Sequence, residues 1–351
     1  MEILEYMEME GHQQLAVWTD PAVGLRSFIA IHNTKLGPAL GGTRIWLHKS
    51  EDEAIMDVLR LSKAMTYKNA LAGLAHGGGK GLIMADARTQ KTKAMMESYG
   101  RFVESLGGRY ITTEDVGASA EDMQWIARTT QYVVGLPRES GGSGNPSDQT
   151  GFGVFQAMRA CALDLWGETN LSGRTVAIQG YGNVATALIQ HLETEGCRVV
   201  VTDVDDTKRQ LAKSRGIEVV EPESILSYEC DIFAPCALGG VLSLESIKDL
   251  HCEIICGAAN NQLKEPLVAQ ALQNAGILYA PDFLVNAGGV INVSYEIGQV
   301  YDPEAARIRA SRIFDTMSKV LAISNENKIT ATEAADQLAN QKLEIARTEP
   351  K

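Results

Sequence analysis

The stretch TVAIQGYGNVATALIQHLETEG, residues 175–196, decides the fold class. A short apolar run ends on Gly180-x-Gly182-x-x-Ala185, and an amphipathic segment with helical spacing follows. Gly180 permits a tight turn, Gly182 lets backbone approach a pyrophosphate closely, and Ala185 is small enough for helix to pack on strand. Free backbone N–H groups at the helix start then point at the phosphates. The pattern is weak alone, but the context it demands is present. A second strand, RVVVTD, ends on Asp203, 23 residues beyond Gly180. A carboxylate there accepts hydrogen bonds from the adenosine ribose and repels a 2′-phosphate, which favours NAD over NADP. Lys208 and Arg209 close by pull the other way, and an ordinary turn acid is the plainer alternative for Asp203.

Downstream, IEVVE (217–221), CDIFAPC (230–236), EIICGAA (253–259) and GILYAPD (276–282) alternate with helical stretches. Short apolar strands separated by helices predict a parallel sheet covered on both faces. Upstream the pattern is mixed. LAVWTD (15–20) and SFIAIHNT (27–34) read as strands, and Ser50 with Glu53 opens a helix that runs out near Tyr67 and Lys68. A second helix is expected from about Thr92 to Leu106, and the acidic turn TTEDVG (112–117) precedes a further helical segment. PRESGGSGNPSDQTGFG (137–153) has a composition that resists a regular element and reads as a linker or hinge, with a helix from 154 to 165 after it. The tail reads as one long helix over 303–326 and one more beyond it.

A chain of 351 residues fits two domains. A net charge of -12 argues against a nucleic-acid surface. No apolar run approaches the roughly 18 residues of a bilayer span, and the start, MEILEYMEMEGHQQ, is acidic, so a soluble, untargeted cytoplasmic protein is expected. The six cysteines lack a CxxC pair and read as reduced thiols; the six histidines lack ligand spacing, so no metal is expected.

Lys80 stands behind three glycines in LAGLAHGGGKGLIMAD (71–86). A phosphate loop needs glycine at 74 and Ser or Thr at 81, where this chain has Leu74 and Gly81. With Lys68 in KAMTYKNA and Asp115 in TTEDVG it makes a set of polar residues outside the nucleotide fold. An enzyme passing a hydride must hold its substrate and move protons on the heteroatom. A lysine at a helix end can be a point charge for a carboxylate. A lysine crowded by glycines and a second ammonium loses solvation and meets repulsion, which favours an amine able to accept a proton near neutrality. The residues alone leave other readings open: solvent-facing loop lysines at 68 and 80, and a helix cap at Asp115.

Nine blocks in order carry a family resemblance: LGPALGGTR (36–44), MTYKNA (65–70), GGGKG (77–81), TTEDVG (112–117), GNPSDQTGFGV (144–154), QGYGNVA (179–185), DIFAPCALGG (231–240), GAANNQL (257–263) and NAGGVINV (286–293). Through them the chain resembles, almost end to end, the leucine dehydrogenases, related to the glutamate, phenylalanine and valine dehydrogenases. The resemblance implies reversible, NAD-dependent oxidative deamination of a branched-chain L-amino acid to a 2-oxo acid and ammonia. It implies that Lys68 binds the substrate carboxylate, that Lys80 moves protons through the catalytic water, and that Asp115 shuttles a proton to and from the amino group. Thr150, Gly180, Gly182, Asn183, Val184, Asp203, Ala237 and Asn261 are implied cofactor contacts, and Asn286 is implied to place nicotinamide or substrate. Leu40, Gly41, Met65, Thr113, Val290 and Val293 are the implied side-chain pocket.

The implied architecture is α/β: a mixed-sheet catalytic and oligomerisation domain over 1–134, completed by C-terminal helices at about 330–351 that pack back on it, and a Rossmann-type domain over 135–329. Closure of the cleft between the domains is implied to exclude water, and a homo-octamer or other homo-oligomer is implied as the assembly. The apolar pocket disfavours glutamate, whose second carboxylate is left unpaired. Leu40 and the two glycines after it do not favour an aromatic substrate. Leucine dehydrogenases tend to carry alanine where this chain has Thr113; its hydroxyl either trims the pocket or bonds to backbone, and leucine is not ranked against valine. Valine or aromatic amino acid dehydrogenases, and a dinucleotide-binding protein without turnover, are the alternatives.

Overall fold

The computed structural model describes residues 2–348; residues 349–351 of the expected C-terminal segment lie outside the described residues. The chain divides into two compact units. One comprises the chain up to Pro146, with Val290–Pro303 and the segment from Ala339; the other comprises Ser147–Gly289 and Glu304–Leu338.

In the first unit β1 (Gln14–Asp20), β2 (Leu25–Asn33), β3 (Ala39–Ile45), β4 (Gly77–Ile83) and β5 (Tyr110–Glu114) form one sheet in the order β1-β2-β4-β3-β5. The β1/β2 and β2/β4 pairs are antiparallel, and β3 runs parallel to both β4 and β5. Side chains alternate across the sheet, as the pleat requires. Phe28, Ala30 and Leu82 pack with Val58 and Leu59 of α2 (Glu51–Leu71), with α1 (Ile3–Glu10) against the same cluster. Ile29, Ile31 and Ile83 pack on the other face with Met96, Tyr99 and Phe102 of α3 (Lys93–Ser105) and Ile126 of α4 (Ala120–Ile126). The Ser50 hydroxyl accepts from the Glu53 N–H and starts α2 where the sequence predicts. The helix continues past Tyr67 to Leu71, so Lys68 lies in its last turn.

The glycine run forms the central strand β4. None of Gly77, Gly78, Gly79 and Gly81 has a positive φ. They are glycines because there is no room for more. A Cβ on Gly77 lies 1.8 Å from the Asn33 carbonyl oxygen, one on Gly78 lies 2.0 Å from the Thr66 nitrogen of α2, and one on Gly81 lies 2.0 Å from the Tyr99 hydroxyl. The strand is pressed closely by α2 on one face, by Tyr99 of α3 on the other and by the neighbouring strand.

In the second unit six short strands, β6 (Thr175–Gln179), β7 (Arg198–Thr202), β8 (Glu218–Val219), β9 (Ile232–Pro235), β10 (Ile254–Ile255) and β11 (Leu278–Tyr279), form a sheet in the order β11-β10-β9-β6-β7-β8. Every pairing is parallel. Counted from β6 this is the 3-2-1-4-5-6 order of the Rossmann fold, with its switch point between β6 and β9. The helices are α5 (Ser147–Trp166), α6 (Asn183–Glu195), α7 (Asp206–Ser214), α8 (Leu267–Asn274), α9 (Asp282–Val285), α10 (Gly288–Ser294), α11 (Pro303–Ser311), α12 (Ile313–Asn327) and α13 (Ala331–Thr348). α10 and α13 each run across a boundary between the units.

Two expectations need correction. The linker segment becomes helical at Ser147, not 154, and Gly151 and Gly153 lie inside α5. They serve packing: a Cβ on Gly151 comes within 2.7 Å of the Leu188 nitrogen on α6, and one on Gly153 within 2.6 Å of Ile313 on α12. The tail helix expected over 303–326 is two helices, broken at Arg312.

Candidate active site

At the switch point Gly180 has φ 103, a backbone conformation L side chains rarely adopt, and a Cβ there lies 2.8 Å from that of Ala237. Its N–H donates to the Thr202 carbonyl at 2.8 Å, which locks the turn to β7. Gly182 faces open space, with nothing within 4 Å of a Cβ, and α6 begins behind it with no side chain capping its first N–H groups. An open glycine and an uncapped helix start are what a pyrophosphate needs. Asn183 is exposed and Val184 half-buried at that start, and Ala185 is buried against the sheet.

Asp203 ends β7 as expected. Its carboxylate accepts from the Tyr181 N–H at 2.8 Å and the Asp205 N–H at 2.9 Å, with the Lys208 ammonium at 3.5 Å. Burial pushes the carboxyl up, but these donors outweigh it and hold it below the usual carboxylate range. Arg209 is turned elsewhere, onto Asp206 and the Asp203 carbonyl.

Asn261 adopts φ 52, and its carbonyl accepts from Gly240 at 2.7 Å, which joins the loops after β9 and β10. Asn286 is buried and donates to the Asn260 side chain at 2.7 Å and the Ala258 carbonyl at 3.1 Å. Thr150 is buried in α5, its Cα 2.8 Å from the point a Cβ on Gly288 occupies.

In the first unit Lys80 projects from β4 on the α2 side of the sheet, level with Ala30 of β2. It is 5% exposed, and its Nζ lies 2.9 Å from Asp115 Oδ2. This removes the solvent-facing loop alternative for Lys80, and it shows what the sequence hides: a carboxylate from the end of β5 is its neighbour. Asp115 is not a helix cap either, since Ser119 caps α4 and Asp122 completes the capping box. Gly42 makes the meeting possible, because a Cβ there lies 2.8 Å from that of Asp115. Burial pushes the Asp115 carboxyl up, but Lys80 and then Arg44 pull it down to about 2. Lys68 is half-buried, and the next residue, Asn69, donates to the carbonyls of Leu40 and Gly77 at 3.1 and 2.6 Å. That clamp fixes the last turn of α2 across β3 and β4.

Of the expected pocket residues, Gly41 and Met65 meet: a Cβ on Gly41 lies 3.2 Å from Met65 Cγ. Thr113 and Val293 flank Gly135, within 2.6 and 3.8 Å of the place its Cβ would occupy. Val290, one helical turn before Val293, is buried, and Leu40 is wholly enclosed. The Thr113 hydroxyl oxygen is buried with no hydrogen-bond partner among the described residues, so it does not bond to backbone.

Arg44, Asp57, Asn69, Gly42 and Glu296 were not assigned from sequence. The Glu296 carboxylate, in the turn after α10, accepts from the N–H groups of Gly135 and Ser143 at 2.9 and 2.8 Å and so ties that turn to the segment beside Thr113. Arg44, Gly42 and Asn69 do lie inside the quoted blocks LGPALGGTR and MTYKNA, next to residues that were assigned. Among the described residues no group of three or more His, Cys, Asp or Glu side chains is placed to hold a metal, and no helix is long and apolar enough to cross a membrane.

Six parallel strands in Rossmann order, with an open glycine turn at the switch point, are the scaffold of dinucleotide-dependent oxidoreductases. Comparison with known proteins narrows the class. Residues 12–132 match the family described as Glu/Leu/Phe/Val dehydrogenase, dimerisation domain, and residues 141–221 and 201–349 match Glutamate/Leucine/Phenylalanine/Valine dehydrogenase. The chain is 46% identical to a leucine dehydrogenase of Geobacillus stearothermophilus over 348 residues, covering 99% of this chain and 95% of that one. It is 45% identical to a valine dehydrogenase of Streptomyces coelicolor over 351 residues, covering 99% and 96%. The crystal structure of L-tryptophan dehydrogenase from Nostoc punctiforme superposes with a TM-score of 0.86 at 41% identity, covering 99% and 100%. The chain therefore belongs to the Glu/Leu/Phe/Val dehydrogenase family, whose members are amino acid dehydrogenases that use a nicotinamide dinucleotide.

Proposed function

We propose that this chain catalyses the NAD-dependent, reversible oxidative deamination of L-leucine and related branched-chain amino acids, as a cytoplasmic homo-oligomer, an octamer by resemblance. The observation that carries it is the buried Lys80–Asp115 pair at 2.9 Å, in the same unit as an apolar set, Leu40, Met65, Val290 and Val293. That set contains no charge to receive the side-chain carboxylate of glutamate.

Several features support a dinucleotide at the second unit: the φ 103 turn, the open Gly182, the uncapped start of α6 and the ionised Asp203. Asp203 favours NAD, because a 2′-phosphate beside it adds negative charge to a carboxylate already held ionised. Gly180, Gly182, Asn183, Val184, Asp203, Ala237, Thr150 and Asn261 would hold the cofactor, which supplies a hydride acceptor for the substrate Cα.

Lys68, at the end of α2, binds the substrate carboxylate as a fixed point charge, and Asn286 helps place substrate or nicotinamide. Asp115 takes a proton from the substrate amino group and returns one when ammonia leaves. Lys80 takes part in proton transfer through the water that adds to the iminium carbon, and collapse of the resulting carbinolamine yields oxo acid and ammonia. Relatives named for leucine, valine and tryptophan share this chain's length and fold, so side-chain preference is the part to test. Steady-state kcat/KM on L-leucine, L-valine, L-isoleucine, L-phenylalanine, L-tryptophan and L-glutamate, with NAD and with NADP, decides it. The branched-chain substrates with NAD are expected to lead. A lead for phenylalanine or tryptophan would sink the pocket assignment, and no turnover on any substrate would favour a dinucleotide-binding protein without catalysis.

A further inference from the structure

Asp115 is held from two sides on one oxygen. Lys80 Nζ lies 2.9 Å from Oδ2, and Arg44 Nε donates to the same oxygen at 3.1 Å. Oδ1 has no hydrogen bond from any described residue, so Oδ2 anchors the group and Oδ1 is left for chemistry. Arg44 is itself held: its Nη1 donates to Asp57 Oδ2 at 3.0 Å, while Arg60 Nη2 donates to Asp57 Oδ1 at 3.1 Å and His48 Nε2 lies 3.4 Å from Oδ2. Asp57 is buried on α2, so the chain of charges runs from β5 through β3 to the helix that carries Lys68.

We infer that Arg44 is a positioning residue for the reaction: its guanidinium, fixed by Asp57, fixes the orientation of the Asp115 carboxylate, so that Oδ1 faces the substrate amino group. The inference rests on the acid–base role proposed above for Asp115. A lysine alone is a flexible point charge that sets no orientation, whereas a planar guanidinium bridging two carboxylates sets both distance and direction. The charged and titratable groups around Asp115 are Lys80 on β4, Arg44 on β3, the neighbouring Glu114 and the buried phenol of Tyr110 on β5, with Asp57, Arg60 and His48 behind Arg44. Loss of Arg44 leaves one cation of the two and swings the balance toward the protonated acid.

The test is the Arg44→Met enzyme assayed for amino acid oxidation across the acidic pH range, with and without added guanidinium ion. The expected result has three parts. kcat falls about tenfold or more with KM for the amino acid within about threefold; the acid limb of kcat/KM moves up by about one pH unit or more; and guanidinium restores both, whereas methylammonium does not. Asp57→Asn, which loosens Arg44 without removing it, is expected to shift the limb the same way by less, and it serves where Arg44→Met folds poorly. An acid limb unmoved in both variants, with an activity loss that guanidinium does not restore, overturns the role of Arg44. Full turnover in Asp115→Asn overturns instead the acid–base assignment beneath it.

Discussion

Two glycine-rich segments, one in each unit, do opposite things with the same residue. At 180–182 the chain needs one glycine for a φ of 103 and a second for the empty space in front of a helix start. At 77–81 no φ is positive; the glycines are there because helix, neighbouring strand and tyrosine hydroxyl occupy every place a Cβ would go. The first segment is open to a ligand. The second is filled by protein, and its one side chain, Lys80, is therefore buried and directed. A glycine cluster beside a lysine is thus no sign of a phosphate loop; what matters is whether the space a side chain vacates is empty.

The sharpest challenge to this contrast is Lys80→Ala. The variant is expected to lose about 10³-fold in kcat while dinucleotide affinity, a property of the other unit, stays within about twofold by fluorescence titration. Turnover within tenfold of the parent would break the assignment. Next comes Gly78→Ala, whose Cβ falls 2.0 Å from a backbone nitrogen that cannot give way. Urea unfolding should show a loss of about 3 kcal/mol, and a change below about 1 kcal/mol would mean β4 is not pressed as described.

A smaller effect tests the charge at the buried segment. The Asp115 carboxyl, ordinarily near 4, is drawn to about 2, so its ion pairing contributes stability that is fully present above about pH 4 and lost as pH falls through 2. The loss amounts to about 2 kcal/mol, and Asp115→Asn should abolish this part of the pH dependence in urea titrations between pH 5 and 2. Parallel curves for the two proteins would count against the pairing. The smallest change is expected at Gly182→Ala, the same substitution as at Gly78 but into open space: stability within about 0.5 kcal/mol, dinucleotide affinity weaker by about tenfold. Equal destabilisation at 78 and 182 would erase the distinction between the two segments.

The nucleotide half was legible because its signals are local. Strand, glycine turn, helix and Asp203 follow within one stretch of chain, and each is read from the residue beside it. The other half reads poorly for the converse reason. Nothing adjacent to Lys80 is acidic, and its partner Asp115 arrives from β5, two strands across, through the gap left by Gly42. Arg44 and Asn69 sit in blocks that were noticed, yet their partners, Asp57 and the carbonyls of Leu40 and Gly77, become partners only when α2 lies on the sheet. Composition misleads at 147–153, where glycine reads as a break in regular structure and instead supplies closeness of packing inside α5.

The order of residues was thus enough to determine a Rossmann-type half with a dinucleotide as its ligand class, since periodicity and turn chemistry act over a few residues, and the nine blocks in order carried the resemblance to the amino acid dehydrogenases. Only the tertiary structure decided that Lys80 is enclosed, that one oxygen of Asp115 is shared by Lys80 and Arg44, and that Thr113 keeps an unbonded hydroxyl. Those are facts of burial and of charges a few ångströms apart, and such distances between remote residues exist only once both faces of the sheet are covered.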